Sequence, residues 1–158
     1  MLWKYLAVFF LSMVPVLELR SAIPVAIGYD LNPIAAYIVC VIGNMVPVPF
    51  IYLFARKFLL WGSDKKYIGK FFRFCVRKGE RAGEKLTKSA AKKGGLVIAL
   101  MLFVGIPIPG TGAWTGTLAA SFLNMGTKET TIAVSTGVVM AGIIMALGSA
   151  GLFAFIGL

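Results

Sequence analysis

The chain has 158 residues, 59% of them hydrophobic and only 14% charged, with a mean hydropathy of +0.88 and a formal net charge of +10. Soluble domains run roughly 45–50% apolar and about 25% charged, so this balance excludes an ordinary soluble enzyme and marks an integral membrane protein whose length suits a single membrane domain, 1–158. The net charge lies wholly between Arg56 and Lys93, where 13 Lys/Arg face 3 acids; elsewhere Lys4, Arg20 and Lys128 cancel Glu18, Asp30 and Glu129.

Met1–Val16 has the outline of a signal peptide, with Lys4 ahead of an apolar run, but it lacks a small-x-small cleavage site and is read as retained. An apolar segment, Leu2–Leu17, runs into Val14–Pro24 (VPVLELRSAIP), which holds Glu18 and Arg20. Charges at membrane depth cost roughly 2.5–3.5 kcal/mol each, and such residues mark functional sites by default. Two of opposite sign, two residues apart and beside prolines, make this segment the leading candidate site; the plainer reading is mutual neutralisation near the headgroups. Arg20 can hold a phosphate or carboxylate through its fork. Burial disfavours the charged form of Glu18 while Arg20 favours it, which suits a group that carries a proton. Pro24 closes this turn, Ala22–Leu31 returns, and Asn32-Pro33 opens a span over Pro33–Ala55. That span contains a second proline-rich turn, Gly43–Pro49 (GNMVPVP), and Asn44, a buried amide suited either to substrate or to interhelical bonding.

The basic segment, 56–93, is placed in the cytoplasm by the positive-inside rule, which makes the protein a multi-pass protein of the cytoplasmic (inner) membrane. Lys66, Lys70, Arg73, Arg77, Arg81, Lys85, Lys88 and Lys92 recur every three or four residues, one stripe of an amphipathic helix. Such a stripe fits an anionic membrane surface, with Gly69, Gly79 and Gly83 weakening its continuity. Without a soluble domain to present it, the stripe does not argue for nucleic acid. Cys40 and Cys75 have no CxxC spacing and the chain has no His, so neither a metal, another cofactor nor a disulfide framework is expected.

In the second half, Gly94–Ile106 gives a helix of about 20 Å, short of the ~30 Å hydrocarbon core, before the Pro107-Ile-Pro-Gly110 break. Pro107 removes a backbone donor, and Pro109 and Gly110 complete the interruption. A second short segment, Thr111–Asn124, follows. Its N-terminus, with the hydroxyls of Thr111 and Thr115, suits an anion, and Trp114 can wall a pocket. Thr130–Leu158 is long enough to span, and Gly137, Gly142, Gly148 and Gly151 offer faces for close packing or a homodimer.

The two halves read alike, each a re-entrant helical hairpin plus one transmembrane helix. Because the spans leave and return, the halves must be inverted relative to each other, as in many transporters. The expected architecture is therefore all-α, with repeats at 1–55 and 94–158 joined by the basic segment 56–93. Four ordinary spanning helices with proline kinks are the alternative. The hairpin plan places Met1 and Leu158 outside. No Walker loop, serine elbow or acidic metal cluster points to an enzyme.

ELRSAIPVAIG, GNMVPVPF and IPIPGTGAWTGTLAA resemble the small multidrug export protein family over nearly the whole chain. The pattern is also distantly similar to the DedA/VTT membrane proteins. Those resemblances imply paired re-entrant hairpins and movement of drugs or of lipids, including lipid-linked phosphates. They carry over to Glu18, Arg20, Pro24, Pro107, Pro109, Gly110, Thr111 and Trp114. Unlike a DedA protein, this chain has no charge between Pro107 and Leu123. Three readings follow: a proton-coupled transporter or flippase for an anionic amphiphile, a proton-coupled exporter of lipophilic cations, and a scaffold that works through the basic stripe alone. The partners expected are membrane lipids and a small amphiphilic substrate.

Overall fold

The computed structural model describes residues 1–15, 17–64, 69–89, 93–108 and 110–156, and all the regular structure among them is helical. Helix α1 spans Leu2–Met13. It stops because Pro15 cannot donate and holds the residue before it extended: Val14 has φ −72° and ψ 131°. Helix α2, Glu18–Gly28, starts earlier than the sequence suggested. ELRSAIP is thus not a turn but the first turns of α2, with Pro24 inside the helix; the turn itself lies just before Glu18.

Helix α3, Pro33–Met45, is capped by Asn32, whose carbonyl oxygen accepts from the Ile34 and Ala35 amides at 3.1 Å, with Pro33 at the position that needs no donor. The expected turn at Gly43–Pro49 does not break the chain's course. A short α4, Pro47–Phe50, continues α3 directly and passes into a π-helical turn, Ile51–Ala55, then α5, Arg56–Ser63. Two prolines close together remove ladder bonds, and a widened turn is the usual way a helix absorbs such a defect. Helix α6 is Gly69–Ser89, α7 Lys93–Gly105, α8 Ala113–Phe122 and α9 Thr127–Ile156.

Length separates these helices into two kinds. Pro33–Phe54 and Thr127–Leu152 run 22 and 26 residues, and only 33% of the most apolar part of each is buried. Ile34, Ile38 and Ile42 on one, and Ile132, Val139, Ile143 and Leu147 on the other, face outward, as lipid-facing residues do. The apolar helices α1 and α7 have 12 and 13 residues, about 18–20 Å, too short to cross alone.

Packing follows the same division. α1 lies along α3 and α2, α7 lies along α9, α2 packs on α9, and α8 packs on the π-helical turn. Two glycines set the closest approaches. A Cβ on Gly43 would stand 2.6 Å from the Phe9 carbonyl of α1, and one on Gly137 would stand 2.7 Å from the Met101 carbonyl of α7. Gly142 admits the Tyr37 ring, whereas Gly148 and Gly151 face open space.

The short helices α2 and α8 end alike. Asp30 (φ 53°) and Asn124 (φ 51°) turn left-handed. In each case the next residue donates to a carbonyl five back (Leu31 to Ala26, Met125 to Ala120), and the left-handed residue donates three back. This Schellman closure satisfies carbonyls that would otherwise be orphaned.

Helix α6 is unbroken across Gly79 and Gly83. Those glycines let it approach α8: a Cβ on Gly79 would meet the Phe122 ring at 2.8 Å, and one on Gly83 would meet Leu123 at 3.4 Å. Val76, Ala82 and Leu86 are buried, and α6 packs on α8. Lys66 and Lys92, at the ends of the expected stripe, lie outside the described residues, as does Pro109.

Candidate functional site

The short helices bring the chain's two breaks face to face, and the charges of the first break are spent on the backbone of the second. Glu18 opens α2 with φ 48°, a left-handed conformation that aims its side chain away from its own helix. It is 6% exposed. One carboxylate oxygen accepts from the Trp114 amide at 3.1 Å and the other from the Ala113 amide at 3.3 Å. These are the first two residues of α8, so Glu18 caps a helix N-terminus 95 positions away, where free N–H groups and the positive end of the helix dipole favour an anion.

Gly112 makes the contact possible. Its φ of +147° suits glycine, and a Cβ there would collide with the Glu18 carboxylate. The helix accordingly begins at Ala113 rather than near Thr111. Thr111 lies in the loop, half-buried, its hydroxyl bonded to the Ile106 and Ile108 carbonyls at 3.0 and 2.8 Å.

Arg20 serves the other side of the same break. Its guanidinium donates to the carbonyls of Val104 (3.2 Å), Ile106 (3.1 Å) and Ile108 (2.5 Å) and to the Thr111 hydroxyl (2.9 Å). Val104 lies in the last turn of α7 and Ile106 and Ile108 just past its C-terminal end, where the dipole is negative and a cation is stabilising. Trp114 returns the favour: its indole N–H donates to the carbonyl of Met13, the last residue of α1, at 3.1 Å. Among the described residues, the hydrogen bonds of Glu18 and Arg20 thus run to the second break rather than to each other.

Of the residues singled out from sequence, Glu18, Arg20, Thr111 and Trp114 meet in this one network. Gly110 (φ 86°) shapes the loop, and Pro107 stands just past the end of α7. Pro24 and Thr115 are half-buried on α2 and α8, and among the described residues neither joins the network. Asn44 is 2% exposed, and among the described residues its side-chain oxygen has no partner, nor do the buried hydroxyls of Thr117 and Thr130. The sequence reading missed Gly112, the α7 carbonyls and Met13. The first had a signal in the GTG run; the others are backbone groups that no side-chain pattern reports.

Lys70, Arg73, Arg77 and Arg81 are all exposed on α6. Beside them, burial pushes the Cys75 thiol above its usual range, with the Lys78 charge pulling the other way. No group of three or more potential metal ligands occurs among the described residues.

A family model described as "Putative small multi-drug export protein" matches residues 18–144, from Glu18 into α9. The chain matches no curated protein and no solved structure.

Proposed function

The chain belongs to the small multi-drug export protein family, and from that premise we propose that it is a proton-coupled membrane transporter or flippase for an anionic amphiphile such as a lipid-linked phosphate. The observation that carries this reading is the Glu18 carboxylate on the Ala113 and Trp114 amides. An anion slot at the start of a helix is already filled, by an anion the protein supplies itself. Protonating Glu18 removes the charge that holds it there, and a phosphate can then take the two N–H groups. Proton and substrate are coupled because each governs whether Glu18 occupies the slot. Arg20 remains bonded to the α7 carbonyls and steadies the site rather than gripping the substrate.

The architecture we propose for this work is a single membrane domain of two inverted repeats, each a re-entrant hairpin plus a span. A constant offset of 94 positions supports it, pairing Asp30 with Asn124 and Gly43 with Gly137 in matching structural roles. The same offset pairs Arg20 with Trp114, each donating to the carbonyl end of the opposite half's first helix. It also pairs Glu18 with Gly112, which touch. An internal two-fold axis passing between those last two accounts for all four pairs. Reporters fused at residue 1 test the topology: an outside signal agrees, and an inside signal sinks the re-entrant plan.

A second reading, export of lipophilic cations, draws on the family description and on a cavity of about 560 Å³ lined by Glu80, Glu84, Phe122 and Leu123, with Lys88 also in its wall. At Glu18 itself a cation would meet Arg20 and two amide donors, so that reading must place its site on α6.

The test is uptake of a fluorescent phosphatidic acid into the inner leaflet of proteoliposomes, driven by a pH gradient. Wild type is expected to respond to the gradient; Glu18→Gln, a permanent neutral mimic, is expected to retain movement but lose the response. Transport by Glu18→Gln that still follows the gradient would contradict the coupling.

A further inference from the structure

We propose that a groove on α6, formed by Phe74, Arg77, Lys78 and Arg81, is a phosphate-binding site that receives the headgroup of an anionic lipid beside the second break. The inference rests on the anionic-amphiphile reading above and names where that substrate is first held.

The four residues fall at i, i+3, i+4 and i+7, one face of a helix, and line an open groove of about 350 Å³. Arg77, Lys78 and Arg81 are exposed and have no ion pair among the described residues. The acids nearest in sequence, Glu80 and Glu84, line the separate cavity against Phe122 and Leu123. Three like charges within about one turn repel one another and cost the helix stability. The packing of Gly79 and Gly83 on α8 holds the helix in place despite that cost. A phosphate placed among them relieves the repulsion. Arg77 and Arg81 can each offer a planar fork to its oxygens, and Lys78 can offer a point charge.

Two further features tie the groove to transport. The Lys78 ammonium reaches the second break, lying 3.8 Å from where a Cβ of Gly110 would sit. The groove therefore adjoins the loop that carries Thr111 and Gly112 and leads to the Glu18 slot. Phe74 is 55% exposed at the same site and offers apolar surface to an acyl chain. Elsewhere on α6 the pattern differs, since Lys88 shares its cavity with the two glutamates.

The test uses the purified full chain in detergent with dihexanoyl phosphatidic acid, inorganic phosphate and dihexanoyl phosphatidylcholine as probes, titrated calorimetrically. Wild type is compared with Arg77→Gln/Lys78→Gln/Arg81→Gln and with Lys70→Gln/Lys85→Gln/Lys88→Gln, which removes equal charge from the rest of the helix. Saturable phosphatidic acid binding that weakens about tenfold or more in the first variant, and less than about twofold in the second, is the expected result, since bonds to charged groups are the strong ones. Phosphatidylcholine, whose phosphate is esterified to choline, is expected to bind weakly. Inorganic phosphate that binds as tightly as the lipid would keep the site but assign it to a free phosphate. Equal loss in both variants overturns the groove and leaves the anionic-amphiphile reading standing. Failure of wild type to bind either phosphate probe overturns both.

Discussion

The two breaks in this protein are made of opposite materials. The first carries both charges, Glu18 and Arg20; the second has no charge from Pro107 to Leu123 and offers only backbone, amides at the start of α8 and carbonyls at the end of α7. Each would be costly alone, the one as buried unpaired charge and the other as unpaired peptide groups. Set against each other they cancel, acid on the positive helix end and base on the negative end. A pair of opposite charges close in sequence need not be an ion pair; here each charge answers a different end of a distant broken helix.

Removing one side of the match is expected to have the largest effect. Arg20→Ala removes the guanidinium donor from the Val104, Ile106 and Ile108 carbonyls, the last two of which keep bonds from Thr111, and leaves Glu18 without its nearest opposite charge, a loss of about 3–5 kcal/mol. A thermal or denaturant titration in detergent should show a large drop in midpoint, only partly recovered by Arg20→Lys, which keeps the charge but not the fork. Gly112→Ala comes next, at about 2–4 kcal/mol, because it strains φ and collides with the carboxylate. Glu18→Ala should relieve the collision but not the strain, so the double variant is expected to lose less than the two singles combined.

Gly43→Ala and Gly137→Ala sharpen the comparison between halves. Each forces a Cβ against a carbonyl of the neighbouring helix and should cost about 1–3 kcal/mol, with the two values close to each other if the halves are copies. A cost confined to one glycine would break that equivalence. Trp114→Phe removes one bond, to the Met13 carbonyl, and is expected to cost about 1 kcal/mol in the same titration. Smallest of all, Lys70→Gln/Lys85→Gln/Lys88→Gln should stay within about 0.5 kcal/mol per substitution, because those side chains are exposed.

Much of this was legible from residue types. The apolar spans, the short helices on either side of PIPG, the basic segment and the choice of Glu18 and Arg20 as candidates all follow from hydropathy, proline chemistry and the cost of charge in an apolar setting. The roles of those two charges were not legible, because their partners are peptide groups. Backbone carbonyls at 104, 106 and 108 look the same in any sequence. The start of α2 was misplaced for a related reason: Pro24 reads as a turn residue, yet it sits inside the helix, where α9 and α3 pack around α2. Gly79 and Gly83 read as helix breakers and turned out to be contact points for α8, since glycine's lack of a side chain serves both purposes.

The central claim is that Glu18 is an internal anion which a substrate anion displaces once a proton arrives. It is tested most directly by counting protons taken up when phosphatidic acid binds to the purified protein in weakly buffered solution. Displacement couples anion binding to protonation of Glu18, so wild type should take up about one proton more per lipid than Glu18→Gln, which subtracts the lipid's own titration. Identical proton counts for the two proteins would mean that the carboxylate stays on the Ala113 and Trp114 amides throughout and is only a structural cap.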